Sequence, residues 1–215
     1  MLNSVIFDGS KYNNAPQNIA DQELAWLTQE LQSASASNDQ VLIASHIPSG
    51  NGLFDDKAYW RSADAIPFHQ LLSNYKNIII GILFGHTHME ELKILQNTTG
   101  NAVGAEISIA ALSTGHGNAP AIKTFYLNSN NGTQWSVSNY TTFNFSPNLG
   151  GDFSLSKLYD FASYYCPAGQ QDIQNIFQCL LITSIRQVTQ IILHTLKILM
   201  IFTLDFFQNF DFLVL

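Results

Sequence analysis

Three histidines in two short segments are the residues best suited to chemistry in this chain. His46 stands in Ser45-His46-Ile47-Pro48-Ser49-Gly50, and the other two in Gly85-His86-Thr87-His88. A neutral imidazole nitrogen is a good ligand for zinc, iron and manganese-type ions. Histidines at i and i+2 in an extended or turning loop can address two adjacent ions, one each. Gly85 removes side-chain bulk where backbone must come close to an ion. Pro48 stiffens the other loop, so that holding His46 costs little entropy. A lone histidine after a strand is more commonly a hydrogen-bonded structural residue, and His-x-His by itself is a weak signal. The two segments together point to a metal centre. His69, in an apolar helical turn, reads as structural, and His194, in an apolar tail, is assigned no role.

Each segment follows a continuous apolar run, at 41–44 and 78–84, of the kind that forms a buried strand. Between the runs lie an irregular loop over 45–61, with Pro48, Gly50 and Gly52, and a helix over 67–75 with Pro67 in its first turn. Strand, loop, helix, strand is the pattern of a parallel crossover. Parallel strands end at one edge, and ligands of open α/β sheets bind there. His46 is therefore expected to converge with His86 and His88. Upstream, 4–7 reads as a short strand turning at Asp8-Gly9. A helix over 18–32 follows, with Leu24, Leu27 and Leu31 on one face and Asn18 as its cap, and then a surface loop over 33–39. Downstream, strands are expected at 106–112, 121–127 and 134–143, the last two joined through an Asn131-Gly132 hairpin turn, then a short helix over 154–165. Glu90 and Glu91 have two open readings: partners that orient the imidazoles from behind, or solvated charges at a strand edge. The fold class is α/β, with residues 1–147 as one unit and 148–215 as a helical, apolar segment.

Composition narrows the function. Apolar residues make up 46% of the chain and charged ones 12%, which suits a globular protein. The formal charge is −7 and no basic cluster occurs, so nucleic acid is excluded as a partner. No signal peptide is present at Met1, and an opening directly into a strand implies a fold that has lost its beginning. Cys166 and Cys179 could pair, but two cysteines do not make a disulfide framework. Glycosylation sequons at Asn97, Asn131, Asn139 and Asn144 matter if the chain is secreted. The region 173–215 is strongly apolar but interrupted by Arg186, His194, Lys197 and Asp205, short of the roughly eighteen clean apolar residues of a membrane span. It reads either as helices packed on the domain or as an amphipathic segment in contact with a membrane surface.

The Gly-His-Thr-His segment after a strand, with an upstream His-x-Pro loop, resembles the last two motifs of calcineurin-like metallophosphoesterases. Within them the chain resembles the acid sphingomyelinase-like phosphodiesterases. The residues that carry this are Trp26-Leu27 before the His-Ile-Pro loop, the run NIIIGILFGHTHMEEL, and GNAPAIKTFYLN with a hairpin after it. The resemblance covers roughly residues 1 to 165 and departs from Gly-His-x-Pro-Pro-Gly at Ser45 and Ser49. It implies half of a two-sheet sandwich with helices outside, an extracellular or lysosomal setting, and two divalent ions, commonly zinc. By that resemblance His46 and His86 ligate one ion and His88 the other. The substrate is a phosphodiester of lipid or nucleotide type, with His116 and Asn118 in a loop near the substrate cleft, read either as a phosphate contact or, more readily, as a polar turn. The family's Asp-x-His, bridging Asp and Asn-His motifs do not occur here, and Gly151-Asp152 comes in the wrong order. The expectation is an impaired fragment or decayed paralogue, unless a partner chain supplies those motifs; a non-catalytic remnant or metal-binding module is the alternative.

Overall fold

The computed structural model describes residues 1–10, 15–52, 56–97, 99–100, 102–114, 119–129, 131–147 and 153–166. His116, Asn118, Cys179, His194 and the apolar region 173–215 lie outside the described residues.

Helix α1 spans Gln17–Ser37 and buries Ala20, Leu24, Leu27 and Leu31, the stripe that its spacing predicts. It is longer at both ends than expected. Asn18 falls inside the first turn, after Pro16 in extended conformation. The Ser-Ala stretch over 33–37 remains helical until Asn38 adopts a left-handed φ of 58°, its amide bonding back to Ala34 and Ser35 carbonyls. Asn tolerates that conformation, so the helix stops where a residue able to turn left-handed becomes available.

A mixed sheet has the order β1-β2-β4-β3, from β1 (Val41–Ala44), β2 (Ile79–Phe84), β3 (Glu91–Gln96) and β4 (Ala102–Ser108). β1, β2 and β4 run parallel, and β3 returns antiparallel to β4. The crossover from β1 to β2 passes through helix α2, Ser62–Tyr75, in which Pro67 lies inside the helix and not in its first turn. Asp64 accounts for the earlier start. It sits in the first turn, fully buried, and accepts from Arg61 Nε at 2.7 Å and Gln17 Nε2 at 2.6 Å.

A second, antiparallel sheet has the order β5-β6-β7, from β5 (Ala121–Ser129), β6 (Trp135–Pro147) and β7 (Phe153–Asp160). The β5–β6 hairpin turns where expected, with Gly132 at φ 77° and Asn131 Oδ1 accepting from the amides of Thr133 and Gln134. Two expectations are corrected. Residues 4–7 form a 3-10 turn and not a strand, and most of 154–165 is strand β7, with helix α3 confined to Phe161–Tyr165. Pairing along β6 overrides local helical preference in the latter case.

Two apolar clusters flank the mixed sheet. Leu24, Leu27, Leu31, Phe68 and Leu72 of the helices pack with Ile43, Ile82, Leu95 and Val103. Leu92, Ile94 and Ile107 pack instead with Val137, Tyr140 and Phe161 of the second sheet and α3. Side chains alternate along a strand, so Glu91, Lys93 and Leu95 share the opposite face from Leu92 and Ile94. Gly81 lets the two layers close: a Cβ there would lie 2.8 Å from Val137 Cγ2.

Candidate metal-binding histidine site

The apolar runs place the histidine loops side by side because β1 and β2 are parallel neighbours, Ala44 opposite Leu83. Beyond the strands the pairing continues through two loop bonds. Ser45 N donates to Leu83 O and Gly85 N donates to His46 O, both at 3.0 Å. The N-terminal turn clamps the same loop. Ser4 is fully buried, and its Oγ accepts from the amides of His46 at 3.2 Å and Ile47 at 2.7 Å. Ser45 Oγ donates to Leu2 O at 2.6 Å. Buried amides at a chain bend need such partners.

The rings of His46 and His86 meet edge to face with centroids 5.2 Å apart, and both residues are exposed. Tyr59 stands edge-on to His86 on another side, at 5.5 Å. His86 and His88 adopt left-handed φ values of 74° and 60°. Such conformations in residues other than glycine cost on the order of 1–3 kcal/mol each and concentrate at functional sites. Gly85 is less constrained than its position implies, since a Cβ there would lie 3.7 Å from His46 Nδ1, an ordinary contact.

The imidazole of His86 is held below its ordinary pKa, first by burial and then by the neighbouring His46. The carboxylate of Asp8 opposes that, His88 adds to it, and Glu91 opposes it again. Net desolvation thus favours the neutral ring, the form that binds metal. Asp8 was legible only as a turn residue. Its carboxylate accepts from Ser10 N and Oγ at 2.8 Å each, which turns the loop back beneath Tyr59.

Behind the loops lies a charged interior that the sequence did not disclose. Glu106 is fully buried; its Oε1 accepts from Ser49 N at 2.9 Å and Ser49 Oγ at 2.6 Å. Burial raises the Glu106 pKa, while the two Ser49 bonds and Lys93 act against that rise. Ser49 Oγ also lies 2.8 Å from His69 Nε2, which makes His69 a structural partner of the loop. A cleft of about 280 Å³ opens beside Ser49, Trp60 and His69. Lys93 Nζ pairs with Glu91 Oε2 at 2.8 Å, both side chains essentially inaccessible. Of the two acids after the His86–His88 loop, Glu91 is therefore buried against a lysine. Glu90 is held in the second layer, pairing with Lys123 at 2.5 Å and accepting from Tyr140 Oη at 3.2 Å.

Among the described residues, no set of three or more His, Cys, Asp or Glu side chains is placed to enclose one metal ion. The donor chemistry of His46 and His86 suits a divalent ion, and the pair converges. His88 is near enough to affect His86 but completes no such set, and no carboxylate among the described residues completes one.

No protein-family model matches the chain. Curated relatives do match over part of its length. "Sphingomyelinase phosphodiesterase D" of Dictyostelium discoideum is 27% identical over 170 residues, 76% of this chain and 39% of that protein. "Sphingomyelin phosphodiesterase" of Bos taurus is 31% identical over 104 residues, 48% of this chain and 14% of that protein. The human "Acid sphingomyelinase-like phosphodiesterase 3b" is 27% identical over 108 residues, 49% of this chain and 23% of that protein. The chain thus spans well under half the length of these relatives. Over the part it shares with them, it is similar to the sphingomyelin phosphodiesterases and acid sphingomyelinase-like phosphodiesterases, as its histidine motifs imply.

Proposed function

We propose that these residues form part of a two-sheet metallophosphoesterase domain whose reaction is hydrolysis of a phosphodiester, either a sphingomyelin-like lipid or a nucleotide-type ester. The observation that carries this is the convergence of His46 and His86 at the ends of adjacent parallel strands. Similarity to sphingomyelin phosphodiesterases supports it. His46 and His86 would hold one divalent ion, zinc by preference, and His88 would face a second. Bound there, such ions polarise phosphoryl oxygens and supply hydroxide near neutral pH. The chain's own part is to keep His86 neutral by burial and to hold His46 through Ser4 and Gly85. His116 and Asn118 are assigned to the substrate side of the cleft, and the sequons fit an extracellular or lysosomal setting.

Two ions held by imidazoles without a bridging carboxylate remain poorly neutralised, so these residues alone bind metal weakly and hydrolyse little. A partner supplying carboxylates would complete the centre. The second reading is a metal-binding module without catalysis, favoured by the lack of a three-ligand set among the described residues.

Zinc titration by calorimetry, with hydrolysis of bis-p-nitrophenyl phosphate, separates the readings. Zinc binding lost in His46→Ala and His86→Ala, with slow but metal-dependent hydrolysis, supports the esterase. Binding without hydrolysis supports the module, and no binding above that of the double variant overturns both.

A further inference from the structure

The two histidine loops have no covalent proximity, yet their rings must be held to within a fraction of an ångström for a shared ligand. Backbone bonds explain the base of each loop and leave the far sides to be held by something else. At the far side of the His46 loop, the Ser49 amide and hydroxyl both end on Glu106 Oε1. At the far side of the His86–His88 loop, the chain enters β3 at Glu91. Glu91 and Glu106 lie on adjacent antiparallel strands, and Lys93 is directly opposite Glu106 in the register. Lys93 pairs with Glu91 at 2.8 Å and lies 4.9 Å over the ring of Tyr59, whose edge meets His86. All three charged side chains are at most 1% exposed. Glu106 Oε2, Ser108 Oγ, both Glu91 oxygens and Lys93 Nζ have no hydrogen-bond partner among the described residues, so the Lys93–Glu91 pairing is an ion contact alone. Two buried carboxylates of like charge repel each other, and Lys93 is the cation that acts on both, paired with Glu91 and lowering the Glu106 pKa by its charge.

We propose that Lys93 is a positioning residue for the histidine site, the cation that ties the His46 loop, through Glu106 and Ser49, to the His86–His88 loop, through Glu91 and Tyr59. It touches no substrate; it acts by fixing where the imidazoles stand. Its removal leaves Glu91 and Glu106, diagonal neighbours across the strand pair, without that cation, and the two loops part together although they belong to distant segments. This rests on the metal-binding reading of the histidines only for its consequence, not for the geometry.

The test uses the full chain with isotope-labelled histidine rings, free of metal, and the variants Lys93→Met, Glu106→Gln and the double variant. Met keeps length and removes charge; Gln keeps an acceptor for Ser49. Lys93→Met is expected to shift the ring resonances of both His46 and His86 while the amide spectrum stays dispersed. Adding Glu106→Gln returns them toward the wild-type positions, which a merely structural loss would not do. Zinc affinity, read by competition with a chelating dye, falls about tenfold or more in Lys93→Met. Unmoved ring resonances in a folded Lys93→Met overturn the proposal. Should that variant fail to fold, Glu106→Gln decides alone: it must move the His46 ring signals, and an unchanged spectrum overturns the proposal. If the wild-type chain binds no zinc, the functional reading fails and the ring resonances still decide the positioning.

Discussion

His46 Nδ1 and the glycine that opens the second loop, Gly85, are close enough that a Cβ on Gly85 would touch the ring at 3.7 Å, and Gly85 N donates to His46 O at 3.0 Å. The two loops are thus one structural unit at their base, and the two exposed rings inherit their meeting from it. A sequence separation of forty residues is closed by two parallel strands.

That contact gives a pH prediction. His86 is depressed by burial first and by His46 second. Removing His46 relieves the second cause, so His86→neutral titration moves upward in metal-free His46→Ala. The sign for stability follows. A histidine with a lowered folded pKa is protonated more readily in the unfolded chain, so stability is lost as pH falls through the unfolded value near 6.5. That acid loss is smaller in His46→Ala. Ring-proton titration by NMR checks the pKa, and urea midpoints at two pH values check the linkage.

Arg61 joins three segments. Besides Asp64, it donates Nη1 to Ala15 O at 3.0 Å and Nη2 to Ile6 O at 2.9 Å. Among the described residues, Arg61→Ala leaves a fully buried carboxylate with Gln17 as its remaining side-chain partner. We expect a loss of roughly 2–4 kcal/mol by denaturant unfolding. Arg61→Ala/Asp64→Ala should lose less than the single change, because no unpaired charge remains.

Lys123 lies 3.8 Å over the Tyr140 ring, and burial brings its pKa from 10.5 to about 8 despite Glu90. Between those values the unfolded chain binds the proton and the folded one releases it, so stability rises with pH. Above the ordinary tyrosine range the trend reverses, since burial pushes Tyr140 up and Tyr165 up to about 12. Lys123→Met should remove the rise between pH 8 and 10 and keep the fall beyond it. Thermal midpoints across that range show the difference.

Asn139 is a hub of another kind. Its Nδ2 donates to both oxygens of Asp160 at 2.9 Å, and its Oδ1 accepts from the amides of Tyr140 and Ala162. A glycan on this sequon is incompatible with those bonds. Asn139→Ala is expected to cost about 1–3 kcal/mol, the penalty of stranded polar groups. Asn131→Ala, at an exposed turn, should cost far less. In secretion from a glycosylating cell, folded protein should carry no sugar at Asn139.

The strands that carry the histidines were legible because their runs hold no polar residue and end at Ser45 and Gly85. β3 was not, because Glu91 and Lys93 break its apolar pattern, and Glu91 read as a partner of the imidazoles or a solvated strand-edge charge. Only tertiary pairing, which buries each against the other, makes that segment a strand. The same masking hid Glu106, whose partner Ser49 looked like a mild departure in a loop. Helix α2 was read from its apolar end and lost its first turn, which is set by Arg61 and Asp64. Strand β7 was read as helix, since its Ser, Leu and Tyr residues carry no clear period and β6 alone decides their state.

The left-handed conformations of His86 and His88 place local comfort and usefulness in opposition. Glycine at either position would relax the backbone by about 1 kcal/mol, and the resulting chain should melt later than the natural one. It would also lack the rings proposed to hold metal at this edge of the sheet. On the proposed reading, robustness and metal binding trade against each other at these two positions, and a screen selecting only for heat tolerance would be expected to erase these histidines first.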